Sequence, residues 1–518
     1  MSRTNPLAPH GPATGKATQA LLLLICLAAA WFRWNHLAAK SLWLDEITQV
    51  TLARLGVPYF FGQLTFYSGV PLDYLLQVAF LGLGLSEYAL RFHAALLGIL
   101  TVPLLYLTAY ALTRHAPTSL TAAALLAPFP LHIQYSQEAR PYALFCLAEL
   151  CAFYLAWRWL AEGRPRAWWG YTLATLAAFN THYFALVFVL PVAFLVAWCA
   201  ARSRREPRLV RALLTRFVAT VLLALLSWAM MPWLRSAWML SRQALGLAVA
   251  PDWPTSPLAS LSAAIGGVQA QLLLAGKFGW IMGGLLLLGL ARLAYVRPTA
   301  AAFPIAWLLL PTGVAAWFLM RRGFPVEPRY LLPILPIYLL LIAEGTTTLA
   351  RIAGRLLPRL RRAEPVLVSA LVAFLLIFIG ARTRAYYAWP KESWREAVGL
   401  LARYAQPADA ILVPHMEETL GLYAPALRHT LWEPKSLAEV QRVAQERGRL
   451  WLVWSPYHEM GEENAQAVLS WLYTAGAAEF TGKNGIRVFL WQAGRSASEM
   501  REIAARLQAP PPLNLTPR

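Results

Sequence analysis

The chain has 518 residues, of which 58% are hydrophobic and only 14% are charged. This composition excludes an ordinary soluble protein and indicates a protein that spans the membrane many times. The formal net charge of +20 would point to a nucleic-acid partner in a soluble chain. Here most Lys and Arg residues separate apolar runs, as they do in loops held in the cytoplasm, so nucleic acid is not expected as a partner.

The first apolar run predicts an uncleaved membrane span. Residues 1–16 are rich in Pro, Gly, Ala and Thr, and we expect them to be a disordered cytoplasmic N-terminus. The run 17–35 is closed by Arg33 and Trp34 rather than by a small-residue cleavage site, which argues against a signal peptide. All four cysteines lie inside apolar stretches, so neither a disulfide framework nor a thiolate metal site is predicted.

Two adjacent carboxylates, Asp45 and Glu46, follow this span in a Trp-Leu-Asp-Glu sequence. They belong to segment 37–87, which is too polar to span and is expected to lie along the outer, periplasmic interface. Carboxylates beside hydrocarbon are costly to keep ionised, so a functional role is one interpretation. A helix cap is the other, because Asp and Glu favour the first turn of a helix.

Apolar runs and basic turns together predict a membrane domain over residues 17–384. The basic turns fall on the cytoplasmic side when the spans are counted in order, while the segments 134–142 and 235–277 fall on the outer side. About eleven spans are predicted: 17–35, 88–113, 118–133, 142–160, 168–181, 184–201, 217–234, 278–295, 300–320, 331–350 and 365–381.

Residues 385–508 predict a small soluble α/β domain outside the membrane. Charges become regular there, and helix and strand patterns alternate over a length that can bury a core of its own. No catalytic constellation is visible in it, which leaves acceptor binding or structural support as its work. The Pro-rich tail 509–518 is expected to be disordered. The predicted helices are 393–405, 436–447 and 462–475, and the predicted strands are 410–413, 450–454 and 486–491.

Candidate ligand-binding residues lie in the segment 134–142 on the outer side. Glu138 and Arg140 are two residues apart, so they form either a local ion pair or a contact to a sugar or an acceptor. Tyr135 and Tyr142 are candidates to stack on a sugar face, although the interfacial aromatic belt is the favoured role for Tyr142.

His182 and Tyr183 are presented on the same outer side, after a short apolar run. They are further candidates for substrate binding. A lone His with no Cys, Asp or second His at ligand spacing is a poor metal candidate. No metal site and no cofactor are therefore predicted.

Three arginines on the outer side depart from the rule that basic residues stay in the cytoplasm. Arg321, Arg322 and Arg329 are the best phosphate ligands in the sequence, because a guanidinium group binds phosphate oxygens in pairs and keeps its charge. Attraction to anionic lipid headgroups is the alternative. Arg329 is favoured for a phosphate because it lies beside Tyr330 at the membrane edge. The absence of a glycine-rich phosphate loop from the sequence argues against a soluble nucleotide sugar.

Three motifs together resemble the bacterial glycosyltransferase family 39. They are the Trp-Leu-Asp-Glu sequence after the first span, Tyr-Ser-Gln-Glu-Ala-Arg-Pro-Tyr at 135–142, and Glu-Pro-Arg-Tyr-Leu-Leu-Pro at 327–333. That family belongs to the GT-C superfamily, with the protein O-mannosyltransferases and the lipid A aminoarabinose transferases. The resemblance extends from about residue 20 to residue 495.

The resemblance implies a fold and an activity. The fold is a set of GT-C membrane helices with interfacial helices and a periplasmic domain, in a bacterial inner membrane. The implied donor is a sugar carried on a polyprenyl phosphate, and the implied acceptor is a lipid, a glycan or a protein. Such a transfer needs a base for the acceptor hydroxyl and a cation for the departing phosphate. Asp45 matches the family's base, in an inverting reaction, and Glu46 is expected to orient it or to bind the sugar.

One segment departs from the family pattern. Many relatives carry His-Pro-Pro-Leu-Tyr-Tyr after the acidic loop, whereas this chain has Gly-Val-Pro-Leu-Asp-Tyr at 69–74. Gly69 stands where a basic or polar residue would contact the lipid phosphate, and Asp73 replaces a tyrosine. This departure is interpreted as the mark of a different donor or acceptor.

Two other classes of protein remain open from the residues alone. A flippase or transporter for polyprenyl-linked glycans would also have many spans and arginines, but should place charges near the middle of its spans. A non-enzymatic envelope assembly protein is the third class, and its soluble domain would be the functional part.

Overall fold

The computed structural model divides the chain into two compact units. One, the membrane unit, comprises Met1–Leu37 and Ala53–Tyr387, and the other, the C-terminal unit, comprises Ala38–Leu52 and Ala388–Arg518. The expectations for most of 1–16, for nearly all of 235–277 and for 509–518 lie outside the described residues. The structure describes residues 15–57, 70–229, 277–322, 328–357, 362–413, 417–455, 462–481 and 485–508.

Long apolar helices form most of the chain up to Ala388, which confirms the predicted polytopic helical class. A 3₁₀ turn, Pro328–Leu331, precedes Ile334–Leu356, the most buried of these helices. The helices are α1 Lys16–Trp34, α2 Leu44–Arg54, α3 Pro71–Phe80, α4 Glu87–Thr113, α5 Ala116–Leu126, α6 Pro130–Ser136, α7 Tyr142–Leu160, α8 Ala167–Phe179, α9 Ala185–Arg202, α10 Pro207–Ala229, α11 Lys277–Val296, α12 Pro298–Arg322, α13 Ile334–Leu356 and α14 Glu364–Ala388.

Nine of the described helices are long and apolar enough to cross a membrane, where hydropathy predicts about eleven spans. The difference falls on two predicted spans. Residues 118–133 form the 11-residue α5 and the 7-residue α6, and residues 168–181 form the 13-residue α8. A helix of 13 residues is about 20 Å long, which is shorter than the hydrocarbon core of about 30 Å. Hydropathy alone does not detect where an apolar run is broken.

The break between α5 and α6 is stabilised by a buried arginine. Pro130 opens α6, and the carbonyl groups at the end of α5 lose their helical partners there. The fully buried Arg33 donates to the carbonyl oxygens of Ala127 at 2.9 Å and Leu126 at 3.5 Å. Its guanidinium also lies 2.8 Å from Nδ1 of His132. Arg33 closes the first apolar run in the sequence. It supplies these carbonyl groups with the hydrogen-bond donors that water cannot provide inside a membrane.

Helix α13 packs against α11 at very short range. A Cβ atom at Gly345 would collide with the carbonyl oxygen of Leu285, and a Cβ atom at Gly289 would collide with that of Leu341. Only glycine allows two helix backbones to approach this closely. The contact places α13 inside the bundle, where nearly all of its residues are buried.

The basic turns of the membrane unit meet on one face of the bundle. Arg114, after α4, pairs with Glu162, after α7, at 2.6 Å. Arg297, between α11 and α12, donates to the carbonyl oxygen of Leu112 at 2.8 Å. Arg202, at the end of α9, donates to Thr299 at 3.0 Å. The predicted alternation of the spans therefore brings turns that are distant in sequence to the same face.

The C-terminal unit is built on a five-stranded mixed sheet, as an α/β pattern predicts. The strand order is β2-β1-β3-β5-β4, in which β2, β1 and β3 run parallel and β5 and β4 are antiparallel neighbours. The central β3 is almost fully buried. The sequence pattern does not predict the short strands β2 and β4 or the helices Glu417–Tyr423 and Ala497–Gln508. The elements are α15 Trp394–Tyr404, β1 Ala410–Leu412, α16 Glu417–Tyr423, β2 Leu431–Trp432, α17 Leu437–Arg447, β3 Arg449–Trp454, α18 Glu462–Thr474, β4 Ala478–Thr481, β5 Arg487–Gln492 and α19 Ala497–Gln508.

Candidate active site

Five of the outer residues form one cluster in the membrane unit, at the end of the bundle opposite the basic turns. The guanidinium carbon of Arg329 lies 5.7 Å from the ring centre of Tyr142 and 5.5 Å from that of Tyr330. The guanidinium of Arg140 approaches the same Tyr142 ring at 5.8 Å. His182 completes the set, 5.4 Å from the Tyr330 ring and 5.8 Å from that of Tyr142. We call these residues the arginine–tyrosine cluster.

His182 is held neutral in this cluster. Burial, followed by the charges of Arg140 and Arg329, lowers the pKa of His182 to about 3. Its Nδ1 accepts a hydrogen bond from the backbone N–H of Phe184 at 3.1 Å, so Nε2 carries the hydrogen. The neutral ring stacks on Phe145 at 5.0 Å. His182 can therefore donate one hydrogen bond without adding a charge.

Local structure explains how the motif at 135–142 reaches the cluster. Gln137 ties α6 to the end of α1, because its amide nitrogen donates to the carbonyl oxygens of Arg33 at 2.9 Å and Asn35 at 2.8 Å. Tyr386, in the last turns of α14, donates to the Gln137 amide oxygen at 3.0 Å. Tyr135 packs edge-on against Tyr142 with ring centres 5.1 Å apart.

The 3₁₀ turn Pro328–Leu331 places Arg329 in the cluster. Pro328 and Leu331 are buried and anchor the turn, whereas Arg329 and Tyr330 between them are half-buried. The Tyr330 ring stacks on Phe184 at 4.9 Å. A guanidinium flanked by aromatic rings keeps its donors in a fixed plane, which suits a phosphate group. The cluster thus brings together two arginines and a neutral N–H donor, which are groups that can bind an anion.

The remaining outer candidates are Glu138, Tyr183, Arg321 and Arg322. Glu138 is 2% exposed, so it faces the interior rather than open solvent. Tyr183 packs edge-on against Trp228 of α10 at 5.7 Å. Arg321 and Arg322 end α12, and their side chains lie outside the described part of the structure.

Asp73, the departure from the family pattern, is buried inside the membrane unit. Its Oδ1 lies 3.6 Å from Nε2 of His93 on α4, and both side chains are 1% exposed. Gly69 lies outside the described residues. Asp73 thus contributes an internal polar contact between α3 and α4.

The acidic pair of the sequence lies in the C-terminal unit, in the first turn of α2. Glu46 is fully buried, and its Oε2 accepts a hydrogen bond from the backbone N–H of Trp43 at 3.3 Å. The ammonium group of Lys391 lies 3.7 Å from the same oxygen. Glu46 therefore caps the helix, whereas the side chain of Asp45 is only half-buried. The helix-cap interpretation therefore applies to Glu46, and the functional role of Asp45 stays a prediction.

Glu392 is a third carboxylate beside this pair, and sequence reasoning missed it. It is 8% exposed and accepts a hydrogen bond from Nε1 of Trp394 at 2.6 Å. Burial raises the pKa of Glu392, and the negative charge of Asp45 raises it further. The sequence does contain a sign of this residue, since Lys391 and Glu392 are the first adjacent opposite charges after the last span.

The segment before α2 is fastened by residues from far along the chain. Ser41 Oγ donates to Glu396 at 3.0 Å. Arg395 donates to the carbonyl oxygens of Ala38 at 3.0 Å and Ala39 at 3.1 Å. The backbone N–H of Leu42 donates to the hydroxyl of Tyr423 at 2.8 Å. These contacts make the acidic loop part of the C-terminal unit, a role that its sequence pattern does not reveal.

Within the described residues no group of three or more His, Cys, Asp or Glu side chains is placed to hold a metal ion. The chemistry that the described side chains offer is that of carboxylates, arginines, tyrosines and one neutral histidine.

One family matches part of this sequence. The sequence model of the dolichyl-phosphate-mannose-protein mannosyltransferase family matches residues 54–251, a stretch that contains the Glu138 motif and His182. This match confirms the resemblance to glycosyltransferase family 39. No curated protein sequence matches the chain.

Solved structures match nearly the whole chain. ArnT from Cupriavidus metallidurans in the apo state has a TM-score of 0.55 at 14% identity, covering 94% of this chain and 99% of that one. ArnT bound to undecaprenyl phosphate has a TM-score of 0.53 at 15% identity, with coverages of 93% and 99%. The oligosaccharyltransferase AglB from Archaeoglobus fulgidus, with an inhibitory peptide and a dolichol-phosphate, has a TM-score of 0.50 at 12% identity, with coverages of 91% and 74%.

The fold is thus that of the GT-C membrane proteins, with a C-terminal α/β domain. With the family match, the chain is a membrane glycosyltransferase of the GT-C class. Within that class it is similar to the protein mannosyltransferases in sequence and to ArnT and AglB in structure.

Proposed function

We propose that this protein transfers a sugar from a polyprenyl-phosphate donor to a periplasmic or lipid-linked acceptor, with inversion at the anomeric carbon. The observation that carries the donor class is the arginine–tyrosine cluster, an anion site with aromatic faces on a fold whose solved examples bind polyprenyl phosphates. The proposal places the membrane protein in the bacterial inner membrane with this end of the bundle facing the periplasm.

Asp45 acts as the general base in this proposal. Its carboxylate takes the proton of the acceptor hydroxyl as that oxygen bonds to the anomeric carbon. The bond from the anomeric carbon to the phosphate oxygen breaks, and its electron pair leaves with the polyprenyl phosphate. Arg329 and Arg140 stabilise the charge that develops on the phosphate. A single displacement from the opposite face inverts the configuration.

The structure supports dividing the work between the two acidic residues. Glu46 is already occupied with the N-terminus of α2 and with Lys391, so it orients the loop. Asp45 is next to it and half-buried, and it is the carboxylate that takes the acceptor proton in this proposal. Glu138, Tyr135 and Tyr330 are proposed to contribute to sugar or acceptor binding.

The experiment that tests this function is sugar transfer by Asp45→Asn. Asn keeps the shape of the side chain but cannot accept the proton, so folding and donor binding should stay intact while transfer falls by about two to four powers of ten. Transfer is measured with radiolabelled polyprenyl-phosphate sugars and membrane acceptors, in cells that lack the native copy.

Two matched variants make the result specific. Glu46→Gln should reduce transfer less than Asp45→Asn if Glu46 orients the loop. Glu502→Gln alters an exposed carboxylate of α19 that pairs with Arg506 at 3.4 Å, and it should transfer sugar like the wild type. Equal transfer by Asp45→Asn and wild type would remove Asp45 from the mechanism. No transfer by the wild type with any donor would favour a transporter instead.

A further inference from the structure

A groove with a single charged end runs between three helices of the membrane unit. It has a volume of about 710 Å³ and is lined mainly by apolar side chains, among them Leu21 of α1, Leu120 of α5 and Leu376 of α14. Its polar end is formed by His115 and Arg362 with Glu364. Neither α1 nor α14 is covered by protein along most of its length, so the groove is open to the surrounding lipid.

Arg362 is the arginine at the polar end of the groove that can bind a ligand. Glu364 lies 3.8 Å from Nε of Arg351, which also reaches Glu344 at 3.6 Å, so both carboxylates share one arginine. Arg362 is exposed, and within the residues that the structure describes it makes no hydrogen bond or ion pair. Arg292 also acts electrostatically on Glu344, so two arginines face the two carboxylates. The end of the groove therefore also presents the guanidinium group of Arg362.

His115 adds a directed neutral donor at the same end. Its Nδ1 lies 3.0 Å from Nη2 of Arg351 and accepts the backbone N–H of Thr118 at 3.2 Å, so the ring hydrogen is on Nε2. Burial, then the charges of Arg351 and Arg292, lower the pKa of His115 to about 4, and the ring is neutral at physiological pH. A guanidinium group and a neutral N–H at the mouth of an apolar groove match a phosphate group attached to a hydrocarbon chain.

We propose that this groove binds one anionic phospholipid, with an acyl chain along its apolar walls and the phosphate held by Arg362 and His115. Basic pockets between membrane helices commonly select such headgroups. The site lies at the end of the bundle that carries the basic turns, opposite the arginine–tyrosine cluster, so it is separate from the proposed sugar transfer. Its occupant is a bilayer lipid, and the polyprenyl donor is the competing occupant to be tested.

Native mass spectrometry of the full-length protein in mild detergent measures this binding. Phosphatidylglycerol is the probe, and phosphatidylcholine is the neutral comparison. Arg362→Gln should lower the affinity for phosphatidylglycerol about fivefold, the factor equivalent to about 1 kcal/mol for one cation at an anionic lipid. Ser369→Trp, on the exposed groove-lining side of α14, should reduce binding of phosphatidylglycerol by filling the apolar channel.

The control removes the same charge elsewhere on the same face. Arg204 is an exposed arginine that lines a different cavity, beside α9 and α10, and Arg204→Gln should bind phosphatidylglycerol like the wild type. The proposal is overturned if Arg362→Gln and Arg204→Gln behave alike, or if Ser369→Trp binds normally. It is also overturned if Arg362→Gln weakens phosphatidylcholine equally, or if polyprenyl phosphate displaces the bound lipid from the wild type.

Discussion

Arg329 owes its suitability for a phosphate to the rings around it. Between Tyr142 and Tyr330 its guanidinium is held in place before any ligand arrives, which reduces the entropy lost on binding. Arg140 approaches the Tyr142 ring as well, so the two cations share one aromatic support.

Removal of Arg329 tests this site directly. Arg329→Ala should weaken binding of a polyprenyl-phosphate sugar by about 2 kcal/mol or more, as expected for the loss of one partner of a desolvated charge pair. Arg329→Lys should recover only part of the affinity, because a point charge lacks the paired donors of guanidinium. Binding is measured by titration of the donor into the purified protein.

Arg202 provides a matched control for that experiment. It too stacks on an aromatic ring, with its guanidinium carbon 4.8 Å from Trp198, but at the opposite end of the bundle. Arg202→Ala should leave donor affinity unchanged. Unchanged affinity in both Arg329 variants would assign the phosphate to Arg321 and Arg322, or exclude a lipid phosphate as donor.

Helix α2 illustrates how an element depends on distant sequence. The helix is only 11 residues long, and its start is held by Glu46, Lys391 and the residues that follow the last span. A short isolated helix is marginally stable in water, so these contacts determine where Asp45 is presented. Holding the acidic loop in place is therefore part of the fold of the C-terminal unit.

The support can be weakened without touching a carboxylate. Arg395→Ala removes the donors to the carbonyl oxygens of Ala38 and Ala39, so the loop before Asp45 should lose its fixed position. Misplacement of a reacting group by about 1 Å costs up to about a hundredfold in rate, so kcat should fall with little change in the KM for the donor. Arg395→Lys should restore part of kcat.

An exposed arginine of the same unit is the comparison. Arg442 pairs with Glu446 at 3.3 Å on the surface of α17, and Arg442→Ala should leave both kinetic constants unchanged. Thermal unfolding of each variant separates a positional effect from loss of the fold. If Arg395→Ala raises KM and leaves kcat intact, or matches Arg442→Ala, the acidic loop does not depend on this contact.

The whole molecule has an asymmetry of charge that predicts its orientation. One face carries the contacts of Arg114 with Glu162, of Arg297 with Leu112 and of Arg351 with His115. The arginine–tyrosine cluster lies at the other ends of the same helices. Because positive turns are retained in the cytoplasm, the cluster and the C-terminal unit are expected on the periplasmic side.

Cysteine accessibility in intact cells tests that orientation. Leu85→Cys before α4 and Ala505→Cys on α19 occupy exposed positions and should react with a membrane-impermeant reagent. Arg164→Cys, exposed on the face of the basic turns, should react only after the cells are opened. The native cysteines lie within membrane helices, so the wild type serves as background. Labelling at 164 but not at 85 in intact cells would reverse the topology.

Much of the architecture follows from local sequence. Apolar runs of span length predict nine of the described helices, because a helix in hydrocarbon must satisfy its own backbone. The limits of α10 differ most, since it begins at Pro207 rather than at the predicted residue 217. Alternation of charge and apolar residues likewise predicts β1, β3 and β5 of the C-terminal unit. The predicted span 118–133 differs because Arg33 stabilises a break after α5 that hydropathy cannot register. The predicted span 168–181 differs because α8 has only 13 residues.

The class of the protein and most members of the cluster are predictable from the sequence alone. Arg140, His182, Arg329 and Tyr330 are recognisable because charged and polar residues at a membrane edge have few reasons to be there. The helix cap at Glu46, its ion pair with Lys391, the packing of Tyr183 on Trp228 and the position of Glu392 near Asp45 become visible only in the folded chain. Those outcomes depend on side chains that meet across hundreds of residues, and a local pattern carries no information about such partners.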